Sequence, residues 1–337
     1  MLAQPTAGSV PARPEERGEG ASMEHPSGPP LRLEGSGGGG APHPGHAFYG
    51  VRRRMWAVLR LTRAENCVVA GFATLVGAGT ARSAAGTAGT AGAAADGATL
   101  VGSVAAVMLV LAFGNVVNDL ADVDADRLGK SGRPLPSGRI TMSQAWSLAA
   151  ALLAAAVVVT LATPHRQLLF VLAMAAVAAL YSPFLKRVPL LGNVTVAAQC
   201  GATLIFGARA AGAVSPDTIG ASLLVAAGML CVEVAKTVED HDADRQVGTR
   251  TVAHLVDTAH HPGLVAAFAA SYLVVGSVLW STAEAPGRFS LAAVPVLPLL
   301  AVAVHPRASG SGQLRSGRPV RASKYLWPLT LVALTGL

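Results

Sequence analysis

The sequence predicts an all-α, polytopic membrane protein with about nine transmembrane helices. Of its 337 residues, 52% are hydrophobic and only 13% are charged, a balance that is typical of membrane proteins and unusual for soluble domains. A ninth apolar run begins near Tyr325 and is short for a complete crossing. The eight earlier runs are long enough to span a bilayer and lie at about 64–80, 98–118, 143–163, 167–184, 190–208, 217–236, 264–283 and 288–305.

The distribution of basic residues predicts how these helices are oriented. If the spans alternate, 22 of the 26 Lys and Arg lie on one side of the membrane, and the other side keeps Arg82, Arg166, Arg209 and Arg288. Because cytoplasmic loops carry the excess of Lys and Arg, the N-terminus and both acidic segments described below are expected at the cytoplasmic face of the cell membrane. The same asymmetry accounts for the net charge of +7 without a nucleic-acid partner.

Residues 1–46 are predicted to form a disordered cytoplasmic tail, followed by a transmembrane domain over residues 50–337. The tail is rich in Gly, Pro, Ser and charged residues, a composition that cannot bury a hydrophobic core. It also lacks the apolar core of a signal peptide.

Polar residues enter several of the predicted spans. Asn66 follows Arg63 in the first span, and an asparagine in a membrane span needs a hydrogen-bonding partner or a ligand. It is therefore expected either to bond a neighbouring helix or to line a substrate pocket. The fourth span ends with Tyr181 and Lys186, and Asn193 opens the fifth. The simplest interpretation is that they are interfacial anchors, since Tyr and Lys are common at that depth.

An acidic segment begins directly after the second apolar run. Residues four apart stack on one helical face, so Asn118, Asp122 and Asp126 are expected to form one column of oxygen ligands. Asp119 and Asp124 are expected to point elsewhere. The column repels itself and lies near a helix C-terminus, where the macrodipole disfavours each acid by about 0.3–1 kcal/mol. It therefore requires cations, and hard oxygen donors without clustered His or Cys favour Mg²⁺.

A second acidic segment closes the sixth apolar run. Asp240 and Asp244 lie one helical turn apart, and Glu233 and Lys236 precede them on the same predicted helical face. Together the two segments hold nine of the chain's nineteen Asp and Glu residues. Both are expected at the same membrane face, which a joint active site would require.

The loop after the first acidic segment is basic and conformationally restricted. Prolines and glycines between residues 129 and 139 predict a stiff, turned loop that carries Lys130, Arg133 and Arg139. These cations either neutralise the acids or close over a diphosphate whose other face is held by Mg²⁺. The second interpretation is favoured, because neutralisation alone does not require so constrained a loop.

Acidic columns at membrane depth indicate a function or a strong counter-charge, because each charge costs about 2.5–3.5 kcal/mol at a helix centre. An isoprenyl diphosphate fits both ends of such a site: metal ions and basic side chains hold its head, and apolar helices hold its tail. The expected reaction is ionisation. Mg²⁺ and basic residues would stabilise the leaving diphosphate, and a dry cavity would protect the allylic carbocation from water.

At these residues the sequence resembles the UbiA superfamily of intramembrane prenyltransferases. The family motif Asn-Asp-x-x-Asp-x-x-x-Asp stands at residues 118–126 and is followed by the family-like Arg133-Pro134-Leu135-Pro136-Ser137-Gly138. The resemblance extends from about residue 50 to the end of the chain. Its further matches are Leu61-x-Arg63-x-x-Asn66, Tyr181-Ser182-x-x-Leu185-Lys186, Gly192-Asn193, and Glu233-x-x-Lys236 before Asp240-x-x-x-Asp244.

The resemblance implies a UbiA-like bundle of nine helices around a central cavity, with two Mg²⁺ between the acidic segments. Thr237 departs from the family pattern, since many members have Asp there, and this removes one carboxylate from the second segment. The implied metal ligands are Asn118, Asp122, Asp126, Asp240 and Asp244. The implied diphosphate contacts are Lys130, Arg133, Lys186 and Lys236, and the residues implied to line the reacting end are Asn66, Tyr181 and Asn193.

The expected partners are an isoprenyl diphosphate, the lipid bilayer and a lipophilic or aromatic acceptor. The first-span segment and the Leu-Leu-Gly-Asn sequence at 190–193 look most like members that alkylate glycerol-phosphate lipids. Some members instead cyclise the donor without an acceptor, as terpene cyclases, and the Ala-, Gly- and Arg-rich composition keeps this alternative open. A cation transporter is a more distant alternative, because both acidic segments are expected at one membrane face beside basic loops.

Overall fold

The fold is given by a computed structural model that describes residues 44–87, 97–163, 165–246, 248, 250–281, 292–304 and 318–335. Every regular element in these ranges is helical, which confirms the predicted all-α class. Residues 1–43, most of the predicted cytoplasmic tail, lie outside the described residues.

The helices follow the apolar runs of the sequence, joined by loops and by short 3₁₀ turns at Leu185–Arg187, Val252–Leu255, Thr258–His260 and Val294–Val296. In chain order the described α-helices are α1 (Pro44–Thr62), α2 (Ala64–Thr87), α3 (Gly97–Ala121), α4 (Val123–Gly129), α5 (Met142–Leu161), α6 (His165–Tyr181), α7 (Leu191–Ala210), α8 (Pro216–Glu239), α9 (His241–Gln246), α10 (His261–Ser281), α11 (Leu297–Val304), α12 (Arg318–Leu326) and α13 (Pro328–Leu334).

Within the described ranges, five helical segments are long and apolar enough to cross a bilayer. They are α3, α5, α7, α8 and the segment Thr258–Ser281, which contains α10. The apolar part of α6 is shorter, and α13 has seven residues, about 10 Å of helix against a hydrocarbon core of about 30 Å. The polytopic membrane class is therefore confirmed, and the number of nine helices stays a prediction.

Two helices at the centre of the bundle touch through their backbones. A Cβ added to Gly77 of α2 would lie 2.0 Å from the carbonyl oxygen of Leu204 in α7, and one added to Gly207 of α7 would lie 1.8 Å from that of Thr74 in α2. Small residues allow membrane helices this close approach. Around this pair, α8 packs on α7, and α3 packs on α2, α5 and α6.

The starts of two helices are fixed by capping side chains. The hydroxyl of Ser215 accepts a hydrogen bond from the backbone N–H of Thr218 at 3.1 Å, and Pro216 opens α8. Thr141 and Gln144 form a capping box at the start of α5. The capping box follows the basic loop after α4. This loop is therefore held between the end of α4 and the capped start of α5.

Candidate active site

Both acidic segments contain a helix break at the same position. Asp122 separates α3 from α4 with φ −94° and ψ 3°, and Asp240 separates α8 from α9 with φ −86° and ψ 3°. The N–H groups of Asp126 and Asp244 still donate to the carbonyls of Asp122 and Asp240, both at 2.8 Å. The expected columns therefore keep their i, i+4 backbone hydrogen bonds, although the helix is interrupted at Asp122 and at Asp240. Aspartate favours turns and caps over helix interiors, and each segment bends at its central aspartate.

Arg133 joins two acids of the first segment. Its Nη1 donates to Asp126 Oδ2 at 2.5 Å and lies 3.4 Å from Asp119 Oδ1, to which Arg63 Nη2 also donates at 2.8 Å. Burial raises the pKa of Asp126, and the Arg133 charge opposes that rise. The prediction that Asp119 points elsewhere is wrong. Residues seven apart lie two turns along one face, and Asp119 is only 4% exposed inside the site.

The end of the fourth predicted span meets the other face of this segment. Lys186 Nζ donates to Asp122 Oδ2 at 2.6 Å, and Asn118 Nδ2 donates to the same oxygen at 3.2 Å. Ser182 Oγ donates to Asn118 Oδ1 at 3.0 Å. The loop between α6 and α7 thus contributes side chains to the site directly. The simplest interpretation of the sequence, that its Tyr and Lys are interfacial anchors, does not include this role.

Two lysines connect the first acidic segment to the second. Lys130 Nζ lies 3.8 Å from Asp240 Oδ2, and the charges of Lys186 and Lys130 both act on Asp244. Burial is the largest cause that raises the pKa of Asp244 to about 6, and repulsion from Asp240 is the second; the charges of the two lysines oppose the rise. The two acidic segments therefore converge at one end of the bundle, and basic side chains lie between them.

The last turns of α8 add a further ion pair to the site. Lys236 donates to Glu233 one turn earlier, so both charges are neutralised locally. The hydroxyl of Thr237 donates to the backbone carbonyl of Val234 at 2.8 Å. The threonine that replaces an aspartate of the family pattern is therefore bonded to its own helix and offers no carboxylate to a metal.

The three residues expected at the reacting end differ in how the structure places them. The charges of Glu233, Asp122 and Asp244 all act on the Tyr181 phenol, so Tyr181 lies close to both acidic segments. Asn193 is buried in the first turn of α7, and Asn66 is partly buried in the first turn of α2. No hydrogen bond among the described residues ties either asparagine side chain to the acids.

Sequence reasoning missed the role of Arg63. This residue has a left-handed φ of 50° between α1 and α2, and the side chain of Asn115 donates to the carbonyl of the preceding Thr62 at 2.9 Å. The turn directs Arg63 to Asp119. Both residues also line a cavity of about 380 Å³ with Arg60, Lys130, Gly132, Arg133 and Pro134. An arginine at the start of a membrane span was the available signal, since such a charge needs a partner.

The donor set of the site fits Mg²⁺. Its acids and Asn118 offer only oxygen atoms, and Mg²⁺ takes one or two carboxylates together with substrate phosphates. Within the described ranges, no three His, Cys, Asp or Glu side chains are arranged around a common metal position, because Lys and Arg side chains occupy the carboxylates. The side chains of Asp122 and Asp240 are 21% and 46% exposed, so they can exchange these partners for a metal ion.

The protein is an all-helical membrane bundle in which two acidic segments converge with basic residues between them. Such a site suits a strongly anionic ligand. The model of the UbiA prenyltransferase family matches residues 80–316. The chain belongs to this family and is a prenyltransferase. Membership of an enzyme family also counts against the cation-transporter alternative.

The relatives of this chain include digeranylgeranylglyceryl phosphate synthases. A digeranylgeranylglyceryl phosphate synthase of Methanoculleus marisnigri is 31% identical over 248 residues, which cover 72% of this chain and 83% of the relative. The synthase of the same name from Natronomonas pharaonis is 30% identical over 199 residues, covering 59% of this chain and 68% of the relative.

Solved structures share the fold. A UbiA homologue from Archaeoglobus fulgidus bound to GPP and Mg²⁺ aligns with a TM-score of 0.61 and 18% identity, over 82% of this chain and 98% of the homologue. A digeranylgeranylglyceryl phosphate synthase aligns with a TM-score of 0.62 and 19% identity, over 84% of this chain and 97% of the other. These alignments confirm the UbiA fold.

Proposed function

We propose that this protein is a Mg²⁺-dependent intramembrane prenyltransferase that ionises an isoprenyl diphosphate and transfers the prenyl group to a prenylated glyceryl phosphate. The convergence of the two acidic segments, bridged by Lys130 and Lys186, carries the proposal. Two facing groups of acids with interleaved cations suit one ligand that binds metal ions and basic side chains at once. The acceptor follows from the relatives, which are named for making digeranylgeranylglyceryl phosphate.

The metal ligands in this proposal come from both segments. When bound, Mg²⁺ would neutralise the diphosphate and stabilise it as a leaving group. Burial and repulsion already raise the pKa of Asp126 and Asp244, so a cation at these carboxylates relieves a cost that the fold has built in. The residues that would hold the metal are Asn118, Asp122, Asp126, Asp240 and Asp244.

The basic residues have two sets of partners in this proposal. Lys186 and Arg133 neutralise Asp122 and Asp126 in the structure. With a metal ion at the carboxylates, Lys186 and Arg133 would be able to turn to phosphate oxygens, with Lys130 and Lys236 beside them. Charge-assisted hydrogen bonds to phosphate are about twice as strong as neutral ones, so the exchange fixes the diphosphate and leaves its developing charge stabilised.

The remaining site residues act on the prenyl end. We place Asn66, Tyr181 and Asn193 along the reacting carbon, where polar atoms orient the acceptor hydroxyl and the Tyr181 ring faces the developing cation. The apolar bundle holds the isoprenoid tail and excludes water, which would quench an allylic cation. Following the distribution of basic residues, we place this site and the N-terminal tail at the cytoplasmic side of the membrane.

A direct assay tests the proposed function. The purified protein is incubated with Mg²⁺ and prenyl diphosphates of increasing length, with and without a glyceryl phosphate that already carries one prenyl chain, and the lipid extract is analysed by mass spectrometry. We expect a doubly prenylated glyceryl phosphate that disappears when EDTA is added. A cyclic hydrocarbon or terpene alcohol formed without acceptor would instead identify a terpene cyclase, and intact donor under all conditions would refute the proposal.

A further inference from the structure

A second cavity lies beyond the second acidic segment, in a part of the chain that the proposed function does not use. It has a volume of about 480 Å³ and is lined by Arg245, Gly248, Arg250, His254 and Leu255. Arg245 stands at the end of α9, one position after Asp244, and the other lining residues follow in the loop and the 3₁₀ turn Val252–Leu255. The cavity is therefore next to the candidate active site but built from different side chains.

The hydrogen bonds of His254 fix which of its ring nitrogens carries the proton. The backbone N–H of Thr251 donates to Nδ1 at 3.2 Å, and the Thr251 hydroxyl lies 2.9 Å from the same atom. A backbone N–H can only donate, so Nδ1 is the acceptor and the neutral ring carries its hydrogen on Nε2. Burial lowers the pKa of His254, which favours this neutral form.

The Nε2–H of His254 is a buried donor that lacks a proper acceptor. Within the described residues, Nε2 makes no well-formed hydrogen bond. The His241 backbone lies near enough to the ring to oppose the fall of its pKa, but its distance and angles are not those of a hydrogen bond. A buried donor left unpaired has lost its hydrogen bonds to water and destabilises the folded protein. Such an atom in a cavity wall indicates that a ligand with acceptor oxygens completes it.

Two arginines give the cavity its charge. Arg245 and Arg250 are exposed, and neither forms an ion pair with another residue of the described chain. Leu255, on the same wall, is 65% exposed. Two guanidinium groups, one neutral N–H donor and one exposed apolar side chain are complementary to a phosphate head attached to a hydrocarbon tail.

We propose that this cavity binds the phosphate of an amphiphile, and that this amphiphile is the glyceryl phosphate acceptor. The identity of the ligand rests on the proposed function, since the active site takes the diphosphate of the donor and the acceptor brings a second phosphate of its own. Arg245 and Arg250 hold the phosphate, and His254 orients it through Nε2. This places the specificity for a phosphorylated acceptor in the loop that follows the second acidic segment.

Neighbouring rings hold His254 in place before any ligand binds. Its ring stacks on His241 with a centroid distance of 4.3 Å, and the ring of His261 packs edge-on against His241 at 5.1 Å. His261 Nε2 is bonded to the carbonyl of Ala253 at 2.8 Å. A donor fixed by such contacts loses little conformational freedom on binding, which favours affinity and selectivity.

A binding experiment without catalysis tests the proposal. The full-length protein, in nanodiscs of neutral lipid and in EDTA, is titrated with the singly prenylated glyceryl phosphate and with the corresponding unphosphorylated alcohol. We expect the phosphate to bind at least about 10-fold more tightly, a difference that charge-assisted hydrogen bonds can supply. The double variant Arg245→Gln/Arg250→Gln should lose this preference. Arg127→Gln, which removes an exposed arginine whose ion pair among the described residues is with Asp124, should keep it.

Two substitutions of His254 separate binding from folding. In His254→Asn the amide oxygen can still accept from the Thr251 N–H, but the donor at the Nε2 position is gone. In His254→Gln the amide nitrogen can replace that donor, and the Nδ1 acceptor is lost. Weak phosphate binding in His254→Asn and near-normal binding in His254→Gln support the proposal. The reverse order would show that the ring serves only to hold the loop.

The source of the phosphate is settled by changing the lipid. Nanodiscs that contain phosphatidylglycerol should compete only weakly with the acceptor. If phosphatidylglycerol abolishes acceptor binding to the wild-type protein and has no effect on the double arginine variant, the ligand of this cavity is a bilayer headgroup. The assignment of the acceptor to the cavity is then overturned. If the double variant binds the acceptor as wild type does, the site itself is refuted. Phosphate-dependent binding by a protein that shows no prenyl transfer would refute the proposed function and leave the phosphate site standing.

Discussion

Asp122 and Asp240 occupy equivalent positions in the two acidic segments. Each separates a membrane helix from a short helix, with ψ of 3° in both and φ of −94° and −86°. Four residues after Asp122 comes the buried Asp126, and four residues after Asp240 comes the half-buried Asp244. Asp122 is paired with Lys186, and Asp240 is paired with Lys130. The two segments therefore have the same local geometry.

This equivalence predicts equal effects from neutralising either central aspartate. Asp122→Asn and Asp240→Asn should each reduce Mg²⁺-dependent consumption of prenyl diphosphate by about 100-fold or more, because a carboxylate that holds the metal supplies several kcal/mol of transition-state stabilisation. The readout is remaining donor by mass spectrometry over a Mg²⁺ titration, with folded yield measured by size-exclusion chromatography.

Asp124→Asn is the matched control for these variants. Asp124 belongs to the same segment, its side chain is 87% exposed, and its only described ion pair is with Arg127 on the surface. Its activity should stay within about twofold of wild type, because exposed pairs contribute little. If Asp122→Asn is as active as Asp124→Asn, the metal-ligand assignment is wrong.

The main features of this protein could be predicted from hydropathy and spacing. The apolar runs predicted helices where α2, α3, α5 to α8 and α10 lie, because burial of backbone polar groups in lipid leaves helices as the available structure. The pairing of Lys186 with Asp122 and of Lys130 with Asp240 follows the sequence expectation that loops and acids meet on one side. The family motifs added residue roles that hydropathy alone does not contain.

Other features depend on geometry that spacing does not encode. Asp119 and Asp126 share Arg133 because the loop after α4 folds back onto the first segment, a contact that the expected i, i+4 column did not include. The left-handed turn at Arg63 aims its side chain at the same acid. A positive φ at a residue other than glycine is uncommon, and the sequence around Arg63 contains no pattern that predicts it.

Removal of the Lys186 charge should weaken donor binding and turnover. Lys186→Met keeps the length of the side chain but leaves Asp122 without its 2.6 Å partner, and it removes one of the proposed phosphate contacts. Charged hydrogen bonds contribute about 1.5–3 kcal/mol, so kcat/KM for the prenyl diphosphate should fall about 10- to 100-fold. Arg187→Met removes the neighbouring exposed charge and should change kcat/KM by less than about threefold. Equal losses in the two variants would show a general effect of charge at this loop.

Backbone contact between α2 and α7 predicts a sharp difference between two glycines of one helix. In Gly77→Ala the new methyl group would lie 2.0 Å from the carbonyl oxygen of Leu204, whereas in Gly79→Ala it would meet no atom within 4 Å. Overpacking costs about 1–3 kcal/mol or more, so Gly77→Ala should lower the melting temperature in detergent by several degrees, and Gly79→Ala should leave it unchanged. Equal melting temperatures for the two variants would disprove the close approach of the helices.

The raised pKa of Asp244 predicts how the metal-free protein responds to pH. Its folded pKa of about 6 lies above the ordinary value of 3.8, so between these values the folded state keeps a proton that the unfolded chain releases. The free energy of unfolding should therefore fall as pH rises through this window and level off above it. In EDTA, thermal melts at a series of pH values should show this loss in wild type relative to Asp244→Asn, whose side chain does not titrate. Parallel curves would mean that burial and Asp240 leave the Asp244 carboxyl unperturbed in solution.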